Sequence, residues 1–259
     1  MGAGRTLLIL LLLLLPVLAV AEGRCDKCHP PHYATAGSCT ACHRGDPRTE
    51  RFALAHANLI GGRHAYFALP ESPVTQYGRQ LLEQTGCRRC HRSGKKGNLL
   101  ASDLDQLLPG ARPGEVLQSI RQPVLYMPDF VFAEGTATAV VNALFANSAQ
   151  ADRVEGEVPL VVHFEGVERS DNLFEKHCGG CHRLLTKTWG GLGRGTIGPN
   201  LSGLFSEFYP RTFRDDERWS AENLEKWLKN PREVRKAARM APPRLKEEER
   251  KQLLEFFRN

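Results

Sequence analysis

The chain has 259 residues, 41% of them hydrophobic and 25% charged, with 35 Lys plus Arg against 29 Asp plus Glu for a formal charge of +6. That length bounds the fold at one to three small domains. The charge is interspersed, with only local basic pairs such as Arg88-Arg89 and Lys95-Lys96. Composition therefore excludes the concentrated basic stripe of a nucleic-acid protein, and no apolar run after residue 21 reaches membrane-spanning length.

Residues 1–21 read as a signal peptide. Arg5 is the one charge before an apolar run from Leu7 to Val20, which Pro16 interrupts, and Ala19-Val20-Ala21 gives the small-x-small cleavage pattern. The run is shorter than the roughly 20 residues of a spanning helix. Cleavage after Ala21 is expected, giving an exported chain. Cys25 follows Glu22-Gly23-Arg24 rather than a small apolar lipobox, so lipidation is not expected.

All eight cysteines fall into one five-residue word used four times. The words are Cys25-Asp26-Lys27-Cys28-His29, Cys39-Thr40-Ala41-Cys42-His43, Cys87-Arg88-Arg89-Cys90-His91 and Cys178-Gly179-Gly180-Cys181-His182. Cys-x-x-Cys-His is the attachment signal of c-type haem. Two thiols three apart add across the two vinyl groups of one porphyrin, and the next imidazole meets the iron. A zinc ribbon does not require the trailing His, a thioredoxin-like pair does not repeat four times, and disulfides do not explain the spacing. Four covalent haems are expected, with His29, His43, His91 and His182 as iron ligands and electron transfer as the task. The expected location is the periplasm or the periplasmic face of a bacterial membrane. Losing Arg5 leaves 34 basic against 29 acidic residues, a balance of +5. Propionates would bring four haems' worth of holoprotein to about +1 oxidised and about −3 reduced, so no nucleic-acid partner is expected.

The first two words begin 14 residues apart, too close for separate globules. Residues 22–73 are therefore expected to form a diheme module with the haems as much of its core, ending near Pro70 and Pro73. This module has no Met after cleavage, so its irons need histidine. His32, His56 and His64 are the candidates, and two of the three suffice; His64 is the weaker one and is read as a surface histidine. His32, in Cys28-His29-Pro30-Pro31-His32, resembles the arrangement of multihaem cytochromes in which the trailing His ligates a neighbouring haem. His56 follows the apolar helical stretch Phe52-Ala53-Leu54-Ala55. His163 and His177 lie in the second half, and His177 is expected to be exposed. Residues 74–150 and 165–259 each hold one word near their start, joined by a linker at 151–164.

In the last segment a short helix with Leu173 and Phe174, capped by Ser170, leads into Cys178. A glycine-rich loop and Gly198-Pro199-Asn200-Leu201 follow. A helix over about 220–230 carries Leu224, Trp227 and Leu228 on one face and stops before Pro231. Met240-Ala241-Pro242 and a closing helix with Leu253, Leu254, Phe256 and Phe257 complete it. The pattern resembles class I cytochrome c. That resemblance implies crossing first and last helices, Met240 as sixth ligand, and the Pro199 carbonyl as acceptor for the haem histidine's N–H. Segment 74–150 is a shorter version, with a helix through Tyr77, Leu81 and Leu82, and Gly97-Asn98-Leu99 standing for Gly-Pro-Asn-Leu. Ser119 to Pro123 precede Met127-Pro128, and a closing helix spans Thr138 to Ala146. The resemblance makes Met127 its sixth ligand.

Gly193-x-Gly195-x-x-Gly198 fits the dinucleotide fingerprint, but neither a strand before it nor a helix after it is expected; no dinucleotide is assigned. The whole reads as a mainly α chain: a haem-packed diheme module followed by two class I cytochrome c-like helical domains. Expected partners are redox proteins, with a membrane-bound respiratory complex among them. The layout is similar to cytochromes of respiratory gene sets in metal-reducing bacteria, including those of selenite or tellurite reduction. The alternative is a reductase or peroxidase-like haem enzyme with one open iron. Bis-histidine sites usually sit below Met/His sites in potential, so electrons are expected to enter at the N-terminal module.

Overall fold

The structure, a computed structural model, describes residues 24–108, 110–124, 126–153 and 172–258. The expected signal peptide, the linker beyond residue 153, His163 and Ser170 lie outside the described residues. The fold is mainly α. Its strands, among the described residues, are one antiparallel hairpin of β1 (Leu184–Thr186) and β2 (Gly190–Leu192).

The N-terminal stretch folds without a core. It contains 3-10 turns at Arg24–Lys27 and Ala34–Ala36, and short helices α1 (Cys39–His43) and α2 (Phe52–Ala55). No side chain from Cys25 to Leu59 is buried, and Ile60, 1% exposed, is the first that is. Phe52 and Leu54 point to solvent at 79% and 52% exposure. Such a stretch lacks the apolar burial, about 25 cal/mol per Å², that normally offsets chain entropy.

The middle segment is a three-helix packing around one crossing. Ser72 caps α3 (Pro73–Gln84), its side chain accepting from Thr75 N, with Pro73 in the first turn. Leu81 and Leu82 face α5 (Glu134–Ala149), and α4 (Pro113–Arg121) adds Leu117 and Ile120. At Gly78 the two helices meet backbone to backbone, since a Cβ there would overlap the Ala139 carbonyl oxygen. α5 runs beyond the expected Thr138 to Ala146 because neighbours bury it on every side. One neighbour is the 3-10 turn Gly62–Ala68, pinned by Asn142, which accepts from Phe67 N and donates to the Arg63 and Thr138 carbonyls at 2.9 Å each. The end of the stretch grouped with the diheme module thus packs on the middle segment.

The C-terminal segment starts with α6 (Leu173–His177), capped by Asn172, whose Oδ1 accepts from Glu175 N at 2.8 Å. α7 (Ala221–Lys229) is capped by Ser220 and buries Leu224, Trp227 and Leu228. Asn230 ends it and caps α8 (Pro231–Val234). The closing α9 (Glu247–Glu255) buries Leu253 and delivers Phe257, whose ring stands 6.1 Å from that of fully buried Phe174. Contrary to the expectation of no preceding strand, Gly193 directly follows β2. The strand belongs to an antiparallel hairpin and no helix begins before Ala221, so the dinucleotide context is missing.

Candidate haem sites

All four cysteine words fold the same way, into one helical turn. The Cys25 carbonyl accepts from Cys28 N and His29 N at 3.2 and 2.9 Å; Cys87 does the same for Cys90 and His91 at 3.2 and 3.0 Å, and Cys178 for Cys181 and His182 at 3.0 and 2.9 Å. The second word is α1 itself. Positions i, i+3 and i+4 share one helix face, so each turn presents two thiols and an imidazole together. The eight thiols are free.

Three of the four word histidines hand their Nδ1 proton to a backbone carbonyl: His43 to Ile60 at 2.9 Å, His91 to Ser102 at 2.8 Å, and His182 to Pro199 at 2.8 Å. This fixes the tautomer and leaves the Nε2 lone pair for a metal. Burial also pulls His91 below its usual pKa, with the Ser102 bond opposing. The third word's acceptor had no proline to mark it, and the expected counterpart, Gly97-Asn98-Leu99, is not the one. Leu201 N bonds the Arg183 carbonyl as Leu104 N bonds that of Arg92, and Gly198 N bonds Cys181 as Ala101 N bonds Cys90. Asn200 Oδ1 accepts from Ser202 N as Asp103 Oδ1 does from Asp105 N. Ala101-Ser102-Asp103-Leu104 therefore occupies the place of Gly198-Pro199-Asn200-Leu201. Gly97 instead matches Gly193: both have positive φ, 122° and 75°, and a Cβ on either would strike the carbonyl of its haem histidine.

In the N-terminal stretch, histidines pair edge to face. His32 Nε2 lies 3.4 Å from His43 Nε2, with ring centroids 5.6 Å apart and planes at 77°. His29 and His56 stand 6.0 Å apart at 83°, and His56 Nδ1 is occupied by the Phe52 carbonyl at 2.8 Å. His32 and His43 would therefore be the residues to hold one metal centre between them, and His29 and His56 another. The Cys39 thiol is within hydrogen-bonding reach of Cys25, so the two words meet at their first cysteines.

Residues 167–259 match the family model for cytochrome c. Neither the curated proteins nor the solved structures compared with the chain gave a match. A cytochrome c domain implies covalent c-type haem and haem-based electron transfer, and the residues of this domain suit the group. Two thiols and the free Nε2 of His182 share one turn, and Gly198 leaves room against the His182 ring that a Cβ would take. Met240 packs on the cluster that contains Cys178, its Sδ accepting from Trp227 Nε1 at 3.1 Å. Met127 and Cys87 both pack on the core cluster of the middle segment.

Two histidines differ from expectation. His177, the last residue of α6, is half-buried rather than exposed, and its Nε2 is buried without a partner. His64 is 6% exposed and its Nδ1 is likewise unpartnered. Burial lowers its pKa first, and Arg63 adds to the effect. It stands in neither imidazole pair described above.

The cytochrome c domain also locks onto the middle segment through Arg89, the second x residue of the third word. Arg89, 9% exposed, donates from Nη1 to the Asn200 carbonyl at 3.0 Å and lies 5.3 Å over the Tyr209 ring. Asn200 Nδ2 donates to the carbonyl of Tyr126, the neighbour of Met127, at 2.7 Å. The Ser202 hydroxyl reaches the Cys90 thiol. No motif rule marks Arg89 or Tyr126; only the folded arrangement does.

Proposed function

We propose that this chain is an exported tetrahaem c-type cytochrome that carries electrons between respiratory redox partners. The observation behind this reading is the repeated turn, which sets two thiols and an imidazole on one face in all four words. When bound, haem supplies a one-electron iron couple at each site. Cys25 and Cys28, Cys39 and Cys42, Cys87 and Cys90, and Cys178 and Cys181 would hold the four groups covalently. His29, His43, His91 and His182 would be the first axial ligands.

The second axial ligands would be the imidazoles that stand beside His29 and His43 and, as the class I resemblance implies, the two methionines. His56 serves the first site and His32 the second, so the two N-terminal sites exchange a ligand across the module. Met127 and Met240 serve the third and fourth. If the chain supplies both ligands at every site, no position would remain for a substrate, which favours a carrier over the alternative, an open-iron enzyme. The bis-imidazole pair at the N-terminus and the thioether sites beyond it give the chain a polarity. We place donor docking at the N-terminal module and acceptor docking at a class I-like segment, with a membrane-bound respiratory complex as one partner.

A haemochrome assay on protein from cells with an intact maturation system should give four haems per chain, retained in acidified organic solvent. Two or fewer sinks the proposal. A ferric spectrum wholly low-spin supports a carrier, whereas a persistent high-spin component supports the enzyme. N-terminal sequencing should begin at Glu22.

A further inference from the structure

A cavity of about 350 Å³ opens beside the second word, lined by Arg44, Ile60, His64, Arg112, Gly114 and Glu115 among others. Four observations give it one chemical character. Arg44, directly after His43, donates from Nη1 to the Ala111 carbonyl at 3.2 Å, while its Nη2 is buried without a partner. His64 is 94% buried, the complement of its 6% exposure, and its Nδ1 has no partner either. Arg112 stands on the rim, its side chain 66% exposed. It precedes the nine-residue α4 without capping it by a side chain; Pro113 has no N–H and Glu115 N and Val116 N already donate to the Arg112 carbonyl, which leaves the amide of Gly114, itself in the cavity lining, as the helix's contribution. Buried polar atoms are rarely left unpaired, and an uncapped helix N-terminus attracts negative charge. Glu115 is the one carboxylate in the lining, and it sits 4.0 Å from Arg112, offsetting part of a single guanidinium.

We infer that this cavity is an anion site, taking the oxygens of a carboxylate or inorganic oxyanion between Arg44, His64 and the start of α4. Two sources share that chemistry. One is a propionate of the haem held by Cys39 and Cys42, because Ile60 both lines the cavity and receives the His43 N–H. The other is a free oxyanion of the phosphate type. The inference rests on the haem-binding reading above, and haem content separates the two: a failed haem count overturns that reading, whereas this site is judged on protein with its full haem complement.

The test uses the full-length holoprotein. Redox titrations of the unmodified protein, Arg112→Gln and His64→Gln are run with and without inorganic phosphate at constant ionic strength. Arg79→Gln, on an exposed face of α3, controls for loss of one positive charge. Arg112 is largely exposed, so its replacement opens no core. If a propionate occupies the cavity, Arg112→Gln and His64→Gln shift one low-potential midpoint, Arg79→Gln does not, and phosphate has no effect. If a free oxyanion does, phosphate shifts a midpoint of the unmodified protein saturably, and Arg112→Gln weakens that response at least tenfold. Midpoints unmoved by phosphate, by Arg112→Gln and by His64→Gln overturn the inference, as does an equal shift from Arg79→Gln.

Discussion

His32 and His43 face each other with their Nε2 atoms 3.4 Å apart, although His32 belongs to the sequence of the first word and His43 to the second. His43 is held by the Ile60 carbonyl, so its ring cannot turn away without losing that bond. Replacing His32 by Ala should leave four haems attached and convert one from low-spin to high-spin in the ferric state. His56→Ala should do the same to a different haem, and the double variant should show two high-spin centres. Electron paramagnetic resonance reads the outcome directly; an unchanged low-spin spectrum in either single variant removes that histidine from the ligand set.

Met127→Ala and Met240→Ala should each remove part of the near-infrared sulfur-to-iron absorption of the oxidised protein and lower one midpoint. The double variant should lose the band entirely. If the unmodified protein has no such band, both assignments fail together. Trp227→Phe, which deletes the donor to Met240 Sδ, should alter the Met240 contribution and leave that of Met127 as it was.

Arg89 joins the middle segment to the cytochrome c domain, and it is nearly shut off from solvent. A charge-assisted hydrogen bond contributes about 1.5–3 kcal/mol and a cation–π contact about 0.5–2 kcal/mol. Arg89→Ala should therefore destabilise the holoprotein by at least about 2 kcal/mol in denaturant unfolding. A fragment of residues 165–259 should melt below the same residues in the whole chain. Equal stability of fragment and whole would mean that the seam contributes nothing.

Gly78→Ala should be among the most damaging single substitutions outside the cysteine words. The added methyl meets the Ala139 carbonyl and then Ala143, backbone and helix that have no free rotamer to move aside. Overpacking of this kind costs about 1–3 kcal/mol or more. The expected outcome is a lowered melting temperature of the middle segment, with the haem on Cys178 and Cys181 unaffected at first.

Thiol chemistry gives a further check. In the haem-free folded chain, burial first and neighbouring Cys181 second push the Cys178 thiol up to about 12. Burial also raises Cys87 and Cys90. Thiolate is the reactive form, so alkylation at mildly alkaline pH should label exposed Cys28 and Cys181 quickly and Cys87, Cys90 and Cys178 slowly. Uniform labelling would show that the haem-free chain does not hold this fold.

The cysteine words, the proximal histidines and the C-terminal helices were readable because they depend on local spacing, and Ser220, Leu224, Trp227 and Leu228 sit where periodicity puts them. The Pro199 carbonyl was named by its motif. Ser102 was hidden because any residue can offer a carbonyl; the signal at its position was a backbone path, which Ala101 and Leu104 reveal only when folded. His64 and His177 were misjudged for a related reason, as burial of a single histidine depends on elements far away in sequence. The seam of Arg89, Asn200 and Tyr126 is wholly tertiary.

The absence of any buried side chain between Cys25 and Leu59 has a consequence for turnover. Without cofactors, this stretch is held by hydrogen bonds and surface ion pairs alone, while α3, α5 and the C-terminal helices have apolar cores of their own. A cofactor-free molecule is then a folded body with a cleavable arm, and a protease should meet that arm first. On the proposed haem binding, the residues that would wrap the cofactors are the same ones that leave a cofactor-free chain open to cleavage.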